Sequence, residues 1–345
     1  MAIRVAIIGS GIFVKDSHLL AIQQTSILTL KAVYSRSLAS AKSLGVDVDL
    51  YSDDSGVGKR YDDLLLRDDI DALILALPIT KQPEYIEAAL AAGKHVLSEK
   101  PIAGDIKRAE QLIQFYKSDK VKGNATWGVA ENFRFLDSFL YARQEVEKLG
   151  RILGFRTKQF GNIKVSDKYY NTAWRTKPDY QGGFTLDGGV HFVAGTRLLL
   201  GEEAKPTAVS AFTTLLQEHL PPVDTINAIW STKSGISGTY SNSFGTTFSG
   251  SEYTIACEKG TVTIVGSKVI ITEGEQKLGK SSEKEFPDEG NGVRQEVGAW
   301  AQALIDGVPN PRQSPEHALA DLEILEKMLI SGAEHGKVET LQFQV

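Results

Sequence analysis

The stretch Ile3-Arg-Val-Ala-Ile-Ile8-Gly9-Ser-Gly11-Ile12-Phe13-Val14 decides the fold. Its first six residues are a short apolar, β-branched run of the kind that lies buried on both faces in the middle of a parallel sheet. The run stops at Gly9, where the backbone must turn past the strand's carboxyl end. Gly9 and Gly11 lack the Cβ that would obstruct the turn or a close approach to it. A helix starting near Ile12 then offers free N–H groups and the positive end of its dipole, an anion site suited to a pyrophosphate. On these residues alone, a dinucleotide held by Gly9, Gly11, Ile12 and Phe13 and a ligand-free strand-to-helix turn are equally well served. Val14 stands at the third glycine position of the pattern.

Working outward, strand and helix patterns alternate to about residue 125. Strands are predicted over 27–34, 72–77, 95–97 and 125–129, and helices over 38–44, 61–66, 81–92 and 106–117, with a polar stretch at 47–59. Short crossovers of this kind make a doubly wound parallel (Rossmann) sheet whose ligands sit at the strands' carboxyl ends. Beyond it the grammar changes. A helix over 136–148 leads to a strand at 152–160, an irregular polar and aromatic segment at 162–183 and a helix at 190–200. Six strands then follow between 208 and 272, separated by turns such as Lys233-Ser-Gly235 and Glu258-Lys-Gly260. Two helices, over 293–305 and 315–331, close the chain. The expectation is an α/β protein: a Rossmann domain over 1–126, then an α+β domain over 127–345 built on a large open, mainly antiparallel sheet, with the late strands forming a meander. Ile226, Ala228, Ile229 and Trp230 read as apolar residues on both faces of one strand, which predicts a homodimer through the open sheet.

With 345 residues, two domains are expected. The formal net charge of −5 leaves no basic footprint for nucleic acid or an anionic membrane, so the partner is expected to be a small molecule. Cys257 is the single cysteine, and no His/Cys grouping has zinc-ligand spacing, so no metal is expected. No charged-then-apolar leader precedes Ile3 and no apolar run reaches membrane-spanning length, which makes the cytoplasm the expected compartment.

The end of the second strand reads Tyr34-Ser35-Arg36-Ser37. Proteins that prefer the non-phosphorylated dinucleotide carry a carboxylate there to hold the ribose hydroxyls. Two hydroxyls and a guanidinium suit a 2′-phosphate instead, so Ser35, Arg36 and Ser37 favour NADP(H) over NAD(H). A polar turn with a solvated arginine is the plainer alternative.

Two stretches carry reactive groups. In Gly93-Lys-His-Val-Leu-Ser-Glu99-Lys100-Pro101 a short strand ends in a lysine beside the place where a nicotinamide would lie, and Pro101 restricts Lys100 to extended geometry. In Gly182-Gly-Phe-Thr-Leu-Asp187-Gly-Gly-Val-His191 a carboxylate and an imidazole fall one helical turn apart, and histidine can exchange a proton near neutral pH. Taken singly, these are equally a surface lysine, a helix N-cap and a structural histidine.

Taken together, Gly9 and Gly11, His18, Leu77-Pro78, Glu99-Lys100-Pro101 and Asp187 with His191 resemble the glucose-fructose oxidoreductase / inositol dehydrogenase / rhizopine catabolism (Gfo/Idh/MocA) family over the full length, and the chain looks closest to fungal NADP-dependent members. The resemblance implies a catalytic lysine and histidine at the nicotinamide, mapping to Lys100 and His191 with Asp187 assisting. It implies cofactor contacts at Leu77, Pro78, Glu99, Lys100, Trp174 and Arg175. It also implies a substrate pocket lined by Lys100, Asn132, Arg134, Trp174, Asp187 and His191. Val14 and Ala194 depart from the family pattern, the latter standing where many members have an Asp after the histidine. The expected function is NADP(H)-dependent hydride transfer at a CH–OH or carbonyl carbon of a sugar, polyol or small carbonyl compound. The alternative is a catalytically silent dinucleotide-binding regulator. Glycoside cleavage through transient oxidation, a third reading, needs tightly held NAD, against which Arg36 speaks.

Overall fold

The structure, a computed structural model, describes residues 2–274 and 279–345. Contacts divide the chain into two units: residues up to Glu131 together with Val293–Ala318, and Asn132–Gly292 together with Leu319–Val345.

The first unit is a six-stranded, wholly parallel sheet of β1 (Ile3–Ile8), β2 (Leu28–Ser35), β3 (Asp49–Ser52), β4 (Ala72–Leu75), β5 (His95–Glu99) and β6 (Trp127–Ala130), in the order β3-β2-β1-β4-β5-β6. Val5 to Ile8 and the whole of β4 are buried, as strands covered on both faces must be. The order reverses on either side of β1, which puts a crevice at its carboxyl end. Helices α1 (Leu19–Gln24), α2 (Leu38–Lys42), α3 (Tyr61–Leu65), α4 (Gln82–Ala91) and α5 (Ile106–Tyr116) make the crossovers. A late helix, Val293–Asp306, also belongs to this unit. It buries Val293, Val297, Trp300 and Ala301 in one cluster with Val14, Leu19 and Ile22. The polar stretch 47–59, for which the sequence predicts no strand, contains β3. As the edge strand, β3 pairs with β2 alone and leaves Asp49 exposed, so it needs no continuous apolar run.

The second unit is a nine-stranded sheet. After α6 (Asp137–Lys148) come β7 (Ile152–Asn162), α7 (Ala173–Thr176), α8 (Phe184–Asp187) and α9 (Gly189–Leu200), then β8 (Pro206–Thr214), β9 (Thr225–Thr232), β10 (Ser237–Ser243), β11 (Gly245–Cys257), β12 (Gly260–Val265), β13 (Lys268–Glu273), β14 (Lys280–Glu285) and β15 (Glu339–Thr340). The order is β14-β13-β12-β11-β7-β10-β9-β8-β15. The expected meander is therefore interrupted. β7 lies between β11 and β10 and runs parallel to β10, because Gly245–Gly250 carries the chain across β7 instead of turning back on β10. All six residues of β14 are exposed, an edge strand without the apolar alternation that reveals inner strands.

The sheet is two-faced. Ile226, Ala228 and Trp230 point inward, where Trp230 stacks on Tyr240 at 5.0 Å and donates its indole N–H to Met328 Sδ at 3.3 Å. Asn227, Ile229 and Ser231 point outward and are exposed. The apolar residues of β9 therefore lie on one face, Ile229 excepted. No helix among the described residues is long and apolar enough to cross a membrane.

Candidate active site

In the first unit the site begins at the turn after β1. Gly9 has φ +115°, and a Cβ there would lie 2.3 Å from the carbonyl oxygen of Ala76, just beyond β4. Its glycine is thus required by the protein's own backbone. Gly11 is different: a Cβ there would meet nothing within 4 Å, so the turn is open on that side. Open space beside the first amide groups of a helix is what a pyrophosphate needs, and the turn fits a dinucleotide. Gly9→Ala is expected to cost about 2–4 kcal/mol from backbone strain and overlap, read as a lower urea midpoint at unchanged slope.

Ile12 and Phe13 open the helix, and a π turn over Val14–His18 precedes α1. Val14, the departure from the glycine pattern, is buried at the start of that turn. His18 closes it, with Nε2 2.7 Å from Glu99 Oε1 and the Phe13 ring edge-on at 5.3 Å. Glu99 ends β5, and the Lys100–Pro101 bond that follows is cis. Leu77 and Pro78 lie in the loop leaving β4, two and three residues beyond its last residue, Leu75.

At the end of β2 the three residues read as phosphate ligands divide. Ser35 Oγ bonds Ser10 Oγ at 2.7 Å, and Ser37 Oγ caps α2 by accepting from Ser40 N–H at 3.2 Å. Both hydroxyls are engaged within the protein. Arg36 is exposed and has no side-chain partner among the described residues. Just after β3, Asp54 Oδ1 accepts from Ser52 Oγ–H at 2.6 Å and Leu38 N–H at 2.7 Å, and these two bonds hold its pKa below the usual carboxylate value. Sequence spacing gives no hint of Asp54, which comes from the element missed there.

In the second unit, α8 and α9 are joined through Gly188 in a right-handed helical conformation (φ −91°, ψ −36°), so Asp187 and His191 stay one turn apart on a nearly continuous helix. The helix starts at Phe184, ahead of Asp187, which removes Asp187's alternative role as an N-cap. Asp187 is buried and accepts from Arg175 Nε at 2.7 Å. That guanidinium also lies 4.0 Å from the Trp174 ring centroid, so one face of the indole is covered. His191 is half-buried and stacks on Phe133 at 5.1 Å with 20° between the rings. Asn132 donates its amide to the carbonyl of Asn291. Arg134, expected to line a pocket, is buried and forms an ion pair with Asp321. Its charge is met inside the unit because a buried guanidinium requires a counter-charge.

Tyr180 is a group that the sequence reading passes over. It is buried, its hydroxyl has no hydrogen-bond partner among the described residues, and burial together with the Asp187 charge pushes its pKa well above the usual tyrosine value. A tyrosine in an irregular segment has no periodicity to mark it.

Both halves of the chain have counterparts. Residues 3–124 match the model of an oxidoreductase family with an NAD-binding Rossmann fold, and residues 143–340 match the C-terminal alpha/beta domain of the same family. Dehydrogenase FPY6 of Fusarium mangiferae is 43% identical, the alignment covering 99% of each chain. An uncharacterized protein of Saccharomyces cerevisiae is 30% identical over 98% of this chain and 99% of its own. An oxidoreductase from Thermotoga maritima, known from its crystal structure, is 30% identical with a TM-score of 0.86, covering 99% of this chain and 98% of its own. With both domains matched in order and full-length relatives on either side, the chain belongs to the Gfo/Idh/MocA oxidoreductase family.

Proposed function

We propose that this protein is an NADP(H)-dependent dehydrogenase or reductase of the cytoplasm, acting on a CH–OH or carbonyl carbon of a sugar, polyol or related small carbonyl compound. What supports this is the presence of Lys100, Asp187 and His191 in one chain of an oxidoreductase family. A protein that only holds a dinucleotide has no use for a cation and a proton-exchanging pair. Relatives of lower identity agree with the substrate class. They include scyllo-inositol 2-dehydrogenase (NADP(+)) of Bacillus subtilis, 27% identical over 58% of this chain, and dTDP-3,4-didehydro-2,6-dideoxy-alpha-D-glucose 3-reductase of Actinomadura kijaniata, 29% identical over 68%.

The bound dinucleotide supplies hydride donor or acceptor character at nicotinamide C4. The chain's own residues do the rest. The amides at Gly11, Ile12 and Phe13 hold the pyrophosphate, with Leu77, Pro78 and Glu99 beside the cofactor. The Lys100 ammonium donates to the substrate oxygen and stabilises its developing negative charge. His191 exchanges the hydroxyl proton, its ring held by Phe133. Asp187, kept in place by Arg175, orients His191 or a neighbouring hydroxyl, and Trp174 and Asn132 line the substrate's side of the pocket.

A screen of sugars, polyols, aldehydes and diones with NADP+ or NADPH, followed by NADPH absorbance, tests the proposal. Turnover of at least one compound is expected. Tight NADPH binding with no turnover of any class would leave a silent dinucleotide-binding regulator.

For cofactor choice, the unpartnered Arg36 is the group free to meet a 2′-phosphate, whereas Asp54 is already committed to Leu38 and Ser52. Arg36→Ala is expected to raise the NADPH Kd by about tenfold or more, the worth of a charge-assisted phosphate contact, with the NADH Kd nearly unchanged. Fluorescence titration with both cofactors reads the difference, and parallel losses for both would remove Arg36 from the phosphate site.

The outward face of the nine-stranded sheet is the surface we assign to a homodimer. Ile229, 56% exposed at the middle of β9, is its apolar centre. Light scattering at micromolar concentration should give twice the chain mass, and Ile229→Asp should give the mass of one chain.

A further inference from the structure

We propose that His18 and Glu99 form a tie through which occupancy of the glycine turn sets the placement of Lys100; this rests on the dinucleotide reading above. β1 and β5 are not neighbours, since β4 lies between them. The imidazole of His18, on the helical segment that follows β1, nevertheless reaches the carboxylate ending β5, at 2.7 Å. What aims it there is the π turn over Val14–His18. A π turn holds one residue more than an α turn, and that residue rotates everything after it by about 100° around the helix. In unbroken α-helix, position 18 would face elsewhere.

Both partners are enclosed, with side-chain exposures of 1% for His18 and 11% for Glu99. His18 Nδ1 is buried with no hydrogen-bond partner among the described residues. A ring carrying its single proton on Nε2 donates to Glu99 and leaves no buried N–H unmet, so the geometry selects that tautomer. The bond then runs from a neutral donor to a carboxylate, a strong and directional contact.

Each end of the tie touches a functional group. Phe13, one of the residues proposed above to hold the pyrophosphate, packs edge-on against His18, and Lys15 N–H bonds Gly11 O at 3.2 Å, so the glycine turn and the π turn are one hydrogen-bonded piece. At the other end Glu99 and Lys100 share a peptide unit. Fixing the Glu99 side chain therefore fixes the backbone from which the Lys100 ammonium projects. His18 is a positioning residue, acting on Lys100 through Glu99.

Competitive acetylation of the full chain by acetic anhydride, with and without saturating NADPH, tests the tie. Mass spectrometry reads Lys100 against the exposed reference Lys259. NADPH is expected to change relative Lys100 labelling at least about fivefold in the wild type. In His18→Leu the change should fall below about twofold, while the NADPH Kd from fluorescence stays within about threefold. His18→Gln, whose amide can donate in place of Nε2–H, should recover most of the response. Glu99→Gln, which keeps the shape and loses the charge that strengthens the bond, should likewise reduce the Lys100 labelling response. A full response in His18→Leu overturns the tie and means NADPH shields Lys100 directly. Equal loss in His18→Gln and His18→Leu also overturns it, in favour of simple packing. Absence of any fluorescence response to NADPH or NADH in the wild type would bring down the dinucleotide reading itself, and this inference with it.

Discussion

Lys100→Met is expected to lower turnover at least about a thousandfold while leaving the NADPH Kd within about threefold. Lysine and methionine have similar length and volume, and Lys100 is half-buried beside the buried Pro101, so the exchange removes the ammonium without opening a hole. What is lost is the stabilisation of charge that grows on the substrate oxygen as the hydride leaves or arrives. That interaction is stronger in the transition state than in the bound substrate, so its removal falls on kcat more than on KM. On the proposed reading dinucleotide affinity should survive, because the glycine turn follows β1 and Arg36 follows β2, whereas Lys100 follows β5. A variant retaining a tenth or more of wild-type activity on a compound found by the NADPH screen would retire Lys100 as the stabilising cation.

How much of this is legible in the sequence depends on whether a feature is local in it. β1 and β4 announce themselves because the residues of a strand buried on both faces are mostly apolar, β5 by its Val96-Leu97 pair, and Gly9 because only glycine tolerates its backbone angle against Ala76. The edge strands β3 and β14 do not, because one free edge and solvent contact relieve them of that requirement. The same limit applies to side chains. Asp187 and His191 are four residues apart, and one helical turn reveals their relation. Arg175 with Asp187, Asp54 with Leu38 and His18 with Glu99 are pairings made by chain crossings, at separations of 12, 16 and 81 residues. No period records them. Ser35 and Ser37 have hydroxyls that are also engaged within the protein, Ser35 with Ser10 across the sheet and Ser37 as the cap of α2, uses that residue type alone does not reveal.

Asp321→Ala is expected to destabilise the protein by about 3–5 kcal/mol, the cost of removing one partner from a buried ion-pair cluster. Asp321, on the helix Pro315–Ala333, is 1% exposed and serves two guanidinium groups: Arg134 on one oxygen and Arg197, at 2.6 Å, on the other. Burial drives the Arg197 pKa below the usual arginine value, and the neighbouring Arg134 charge lowers it further while Asp321 opposes both. Without that carboxylate, two like charges remain in an interior where neither can be hydrated. The damage should spread along two paths. Arg197 also donates to Gln344 Oε1 at 2.9 Å and to the Val345 carbonyl, so the C-terminal segment loses an anchor. Arg134 sits in the short turn Asn132–Phe135 that carries Phe133, the ring on which His191 stacks, so catalysis should weaken before global unfolding. Urea titration of Asp321→Ala should show the lower midpoint. Replacing Arg134 and Arg197 by Met and Asp321 by Leu together should regain most of the loss, because an apolar cluster of similar volume has no charge to bury. A single variant as stable as the wild type would mean that water, rather than Asp321, satisfies the two arginines.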